Sequence, residues 1–137
     1  GVGFDFTRRL LTDPSRLKIL GDGYQSKSYI HVDDVLDAIF HTAAYAAKPF
    51  DVYNVATGDY ITVRDIADLS VDLAGLRRET VLYEFTGGDR GWKGDVPVVR
   101  FDISKILRTG WRPERGSRDA LAMAIREMLD RVRSGTL

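Results

Sequence analysis

Residues 117–132 set the strongest constraint on how this chain can fold. Leu121, Ile125, Met128, Leu129 and Val132 recur at helical spacing on one face, Asp119 falls in the first turn, and Ser117 is the expected N-cap. A helix with such a face is built to pack. Thr62 and Asp65 form a capping-box-like pair ahead of Ile66, Leu69 and Leu73, and Gly75 closes that second helix. Residues 4–12 read as a short helix stopped at Asp13-Pro14. A fourth helix is expected after Asp33 as N-cap, with Val35, Leu36, Ile39, Phe40 and Ala43 as its apolar face and its end near Ala47, before Pro49.

The strand candidates between these helices are all short. Leu17–Leu20 and Ser28–Val32 flank the turn Gly21-Asp22-Gly23 and read as strand, turn, strand, with the glycines as a hairpin turn. Val52–Val55, Val81–Phe85 and Val98–Phe101 are further strands, Ser104–Leu107 a helical turn, and residues 86–97 a polar, glycine-rich loop around Trp92. Short strands mixed with helices imply a small α/β piece, and 137 residues without a long linker or internal repeat imply one unit over 1–137.

Several function classes are excluded by composition. Twenty Lys and Arg balance twenty Asp and Glu, so the broad positive field that nonspecific nucleic-acid binding needs is missing. There is no cysteine, which removes disulfides and thiolate metal sites and suits a reducing, cytoplasmic setting. No apolar run is long enough to span a bilayer. His31 and His41 lie outside any metal-binding spacing, and His31 reads as a structural histidine. No Gly-x-Ser-x-Gly elbow occurs. The first residues, Gly1-Val2-Gly3, carry no initiator Met and run directly into an apolar pattern, as in the middle of a longer chain.

What remains are isolated cations beside aromatics, Lys27 with Tyr29 and Arg90 with Trp92, both flanked by turn residues. That pairing suits a phosphate and a ring. The order of motifs then becomes informative. Residues 19–35, from Ile19-Leu20-Gly21-Asp22-Gly23 through Lys27-Ser28-Tyr29 to Asp33-Asp34-Val35, resemble the corresponding stretch of the extended short-chain dehydrogenases/reductases, the family of nucleotide-sugar epimerases and dehydratases. Tyr53-Asn54-Val55-Ala56-Thr57-Gly58, Arg90-Gly91-Trp92-Lys93-Gly94-Asp95-Val96-Pro97, Asp102-Ile103-Ser104-Lys105 and Gly110-Trp111-Arg112-Pro113 are similar to that family's later landmarks, in order.

The resemblance implies a clamp for a nucleotide-diphospho-sugar, a UDP-sugar being favoured. Lys18 and Leu20 would approach the base, with Leu20 where some relatives have an aromatic, and Val2 would lie in a loop over it. Lys27 stands where an arginine commonly holds the diphosphate, and Tyr29 where a tyrosine lies near the ribose or phosphate. Arg90 resembles the second phosphate-binding arginine and Asp95 the carboxylate that accepts ribose hydroxyls. Arg90 precedes Asp95 by five positions, where many relatives have three, and this leaves its assignment open.

The family's catalytic Tyr-x-x-x-Lys is absent: the residues four positions after the six tyrosines are Ser28, Asp33, Pro49, Thr57, Arg64 and Gly87. No catalytic residue is assigned, and the family's NAD, its proton transfer and its homodimer-forming helices are expected in an N-terminal part preceding Gly1. This piece alone is expected to be inactive and to bind NAD weakly at best. The helix after Asp33 and the strand through Asn54 resemble pieces that join the edge of the NAD-binding sheet. Within the family a 4-epimerase is favoured over a dehydratase or decarboxylase by the Arg-Gly-Trp-x-Gly-Asp-Val-Pro loop. Outside it, a non-catalytic nucleotide-sugar-binding module and a structural domain without ligand are the other readings.

Overall fold

The computed structural model describes residues 1–45, 49–92, 94–96 and 98–136. Three helices pack around a parallel strand pair. Helix α1 (Val2–Thr12) buries Gly3, Phe6, Thr7 and Leu10, one stripe at the period of a helix. Gly3 permits close contact with the last helix: a Cβ there would lie 3.4 Å from Ile125 Cγ1 and 3.6 Å from Leu121 Cδ2. The helix ends where Asp13 turns extended, and the Asp13 carboxylate accepts hydrogen bonds from the backbone N–H and hydroxyl of Ser15.

Strand β1 (Arg16–Ile19) follows, with Leu17 and Ile19 fully buried and Arg16 and Lys18 outward. It pairs in parallel with β4 (Leu82–Phe85), Arg16 opposite Leu82 and Ile19 opposite Phe85. Burying the Leu17 and Ile19 side chains contributes about 1.5–3 kcal/mol each. The crossover between these strands is α3 (Val63–Leu73). Its reciprocal capping box is formed, Asp65 N donating to Thr62 Oγ1 at 3.1 Å and Thr62 N to Asp65 Oδ2 at 3.3 Å. Gly75, at φ +77°, closes it with the paired bonds Gly75 N to Asp72 O and Leu76 N to Val71 O. Helix α5 (Ser117–Arg133) lays Leu121, Ile125 and Leu129 on the same core, with Phe6, Leu10, Ile66 and Val71.

The hairpin expected around Gly21-Asp22-Gly23 does not form. β1 pairs with β4, whereas β2 (Ser26–Lys27) pairs antiparallel with β3 (Ile61–Thr62), so the two glycines, at φ +83° and +84°, carry the chain from one sheet to another. The strand expected at Ser28–Val32 is likewise cut short. The Tyr29 N–H donates to Ser117 Oγ at 2.9 Å instead of to a neighbouring strand, and Val32 already opens α2 (Val32–Tyr45).

The N-cap of α2 is also not Asp33. The Asp33 N–H donates to His31 Nδ1 at 3.2 Å, so His31 serves the helix start and Asp33 lies inside the first turn. The expected extension to Ala47 lies outside the described residues. The apolar face expected to pack is turned outward, with Leu36, Ile39 and Phe40 at 47%, 53% and 72% exposed, while Asp34 and Ala38 are buried. Ala38 joins Ile106 of α4 (Ser104–Leu107) and Trp111 in a second, smaller cluster.

Val52–Val55 and Val98–Phe101 are not strands. The first has no strand neighbour among the described residues, Asn54 Nδ2 instead donating to Asp102 O at 3.0 Å, and the second makes one bridge, Val98 to Ser26. A β conformation needs partners to satisfy its backbone groups, and among the described residues the first run has none and the second only that single bridge. Nor does the Ser117 side chain cap α5. Gly116 holds the cap position, and the first-turn N–H of Ser117 donates to the Asp59 carboxylate, 3.0 Å to Oδ1, so the cap comes from a distant turn. No described helix is long and apolar enough to cross a membrane.

Candidate functional site

The C-terminal end of β1, strand β2, the start of α1 and the loop after β4 meet around a cleft of about 400 Å³. Strand alternation decides which side chains reach it: with Leu17 and Ile19 committed to the core, Lys18 faces the cleft and Leu20 lies at its edge. Strand β2 delivers Lys27, and Tyr29 follows two residues on, its backbone fixed by Ser117.

That fixing is part of a hydroxyl chain. Ser28 Oγ lies 2.8 Å from Thr57 Oγ1, which lies 3.1 Å from Ser117 Oγ, and Ser117 Oγ donates to Asp59 Oδ1 at 2.7 Å. Burial alone would raise the Asp59 pKa, but the hydrogen bonds from Thr57 and Ser117 outweigh it and hold the carboxyl below its usual range.

The opposite wall is the glycine-rich loop. Asp95 folds it back, its Oδ2 accepting from Gly91 N at 3.1 Å and its own N–H donating to Trp92 O at 2.9 Å. Lys27 Nζ ties the two walls together by donating to Asp95 Oδ1 at 2.5 Å and to Val96 O at 2.6 Å. The Lys27 ammonium is the main reason the Asp95 carboxyl lies below its ordinary range. Burial, and then the charge of Asp95, push the Tyr29 hydroxyl up, so it stays protonated and available as a donor.

Lys18, Leu20, Lys27, Tyr29 and Asp95 therefore line one cleft. Arg90 is not among the residues lining it: its side chain is 56% exposed, with Nε 3.9 Å from Asp89 Oδ1. Val2 does line the cleft, but as the first residue of α1 instead of a residue in a loop. Sequence reasoning missed Gln25. This side chain is 5% exposed, its Nε2 donates to Leu20 O at 2.7 Å, and its Oε1 has no partner among the described residues. Gly21 is the matching signal, since a Cβ there would sit 2.5 Å from Gln25 Nε2.

The cleft offers a cation, an ionised carboxylate, a phenolic donor and apolar walls, an inventory for binding. Among the described residues no group of three His, Asp or Glu could hold a metal ion. Nor do the residues fit NAD. Its pyrophosphate needs a glycine-rich turn leading from a strand into a helix. Here Gly21-Asp22-Gly23 leads from β1 to β2, and Gly87-Gly88 leads from β4 into the loop.

No family model matches the chain. It is 29% identical over 109 residues to GDP-L-fucose synthase 1 of Arabidopsis thaliana, covering 76% of this chain and 30% of that protein. A solved UDP-galactose 4-epimerase superposes with a TM-score of 0.77 at 28% identity, over 95% of this chain and 40% of its own. A UDP-glucose 4-epimerase of Thermotoga maritima, solved with UDP-glucose, gives a TM-score of 0.74 at 28% identity, over 96% and 40%. The chain belongs with the extended short-chain dehydrogenases/reductases. It spans 30% to 40% of the length of these extended short-chain dehydrogenases/reductases, so the relationship applies to one part of each.

Proposed function

We propose that this chain is the nucleotide-diphospho-sugar-binding part of an NAD-dependent sugar epimerase, with a UDP-hexose as the favoured substrate. The supporting observation is the convergence of Lys18, Leu20, Lys27, Tyr29 and Asp95 on one cleft. In this reading Lys27 neutralises the diphosphate as a compact charge, Tyr29 donates to it or to the ribose, and Asp95 accepts ribose hydroxyls. Lys18 and Leu20 border the base. Arg90 joins the diphosphate when its side chain turns from Asp89 toward the cleft. NAD would supply hydride transfer in the whole protein and would be held by an NAD-binding part other than these residues. The exposed Leu36, Ile39 and Phe40 face of α2 is where that part docks.

Calorimetric titration of the chain with UDP tests the binding reading. Saturable binding is expected, and Lys27→Ala should weaken it roughly tenfold or more, the worth of a hydrogen bond to a charged group. Equal affinity in native protein and Lys27→Ala overturns the assignment of the diphosphate to Lys27.

A further inference from the structure

Trp92 stands out among the cleft residues. It is 67% exposed, yet it lines the same cleft as Lys18, Leu20, Lys27 and Asp95. An indole left in water is a large uncovered apolar face, and its place at a mostly apolar cleft gives that face a use. The ring is held from behind. A Cβ at Gly94 would collide with ring atoms Cζ3 and Cη2 of Trp92, so the absence of a side chain at Gly94 lets the indole lie against the loop backbone. The Trp92 carbonyl accepts from Asp95 N at 2.9 Å, and Asp95 is tied to Lys27. The indole is thus anchored, through its own backbone, to the residues assigned to the diphosphate and ribose.

We infer that Trp92 is the stacking platform for the planar nucleobase, in the cleft that Leu20 also lines. The inference rests on the nucleotide-binding reading above and adds a base-binding residue to it. Stacking on an aromatic face tolerates any planar base, so Trp92 provides affinity for a nucleoside without selecting which one.

The chain reports on this directly, because it has two tryptophans. Trp111 is 3% exposed and its Nε1 donates to Asp37 Oδ2 at 2.9 Å, which leaves Trp92 as the solvent-facing fluorophore. UDP should quench and shift the long-wavelength tryptophan emission. Trp92→Ala should weaken UDP binding by calorimetry roughly tenfold, the scale of one base–aromatic stack. Trp92→Phe, which keeps a ring, should retain most of the affinity, and circular dichroism should show both variants folded, since the side chain is exposed. UDP binding that depends on Lys27 but is unchanged in Trp92→Ala, or lost equally in Trp92→Phe and Trp92→Ala, overturns the stacking role while leaving the clamp intact. Absence of any UDP binding removes the clamp, and the platform with it.

Discussion

Lys27 donates to Asp95 across the cleft at 2.5 Å, so the cation assigned to a diphosphate is already engaged by the carboxylate assigned to a ribose. The pair joins strand β2 to the loop that follows β4. Lys27 is 30% and Asp95 10% exposed, which protects the interaction from full solvent screening.

The consequence is a pH dependence of defined sign. The folded-state pKa of Asp95 is lowered, so the pair's contribution is complete above the unfolded carboxyl value of about 3.9 and is lost as pH falls through the lower folded value. Thermal melts of native protein and Asp95→Asn should differ by a constant amount near neutrality and converge only in strong acid. Convergence already at mildly acidic pH contradicts the pair.

The Asp59–Ser117 junction should carry stability out of proportion to its size. Ser117 is fully buried, accepts from Tyr29 N and donates to Asp59. Ser117→Ala leaves the Tyr29 N–H without its acceptor, a cost of about 1–3 kcal/mol. Asp59→Ala removes the cap of α5 at about 0.5–2 kcal/mol, and Asp59→Asn, which keeps an acceptor oxygen, should cost less. Urea denaturation of the three variants measures the order.

Gly21 and Gly75 separate two effects of adding a methyl group. Both have positive φ, +83° and +77°, but nothing lies within 4 Å of a Cβ at Gly75, whereas one at Gly21 meets Gln25 Nε2 at 2.5 Å and Arg90 O at 3.0 Å. Gly75→Ala should cost the left-handed conformation alone, roughly 1–2 kcal/mol. Gly21→Ala should cost more and also weaken UDP binding, because Gln25 lines the cleft. Equal unfolding free energies for the two variants would show that the close approach at Gly21 is absent.

The outward face of α2 makes a surface prediction. Phe40→Glu and Ile39→Lys replace side chains that are 72% and 53% exposed. Denaturation free energies should stay within about 0.5 kcal/mol of native, while binding of an apolar fluorescent dye falls. A large destabilisation would mean that this face is packed within the chain itself.

Local signals in the sequence were read correctly where the deciding interactions are themselves local. The capping box of Thr62 and Asp65, the closing glycine at Gly75 and the stop at Asp13-Pro14 all act within a few residues. The apolar stripe of α5 was legible for the same reason, because helix geometry converts spacing directly into a face. Strand partners and caps supplied from afar were not. Nothing near Gly21 reveals that β1 seeks β4, more than sixty residues on, or that Asp59 caps α5.

The candidate site divides in the same way. Charge and aromaticity alone singled out Lys27 with Tyr29 and Arg90 with Trp92; it is the family resemblance in motif order that implied Lys18, Leu20, Lys27, Tyr29, Arg90 and Asp95. That five of these six share a cleft while the Arg90 side chain lies outside it is a matter of where loop 86–96 folds back, and this depends on Asp95 reaching both Gly91 N and Lys27 Nζ. Gln25 carried no signal as a site residue, and Trp92 stood out only as a ring beside Arg90, because burial and exposure are properties of packing. The sequence determined which residues could bind an anion, a sugar or a ring. The tertiary structure decided which of them meet, because contacts across sixty residues are set by how the core closes, not by spacing along the chain.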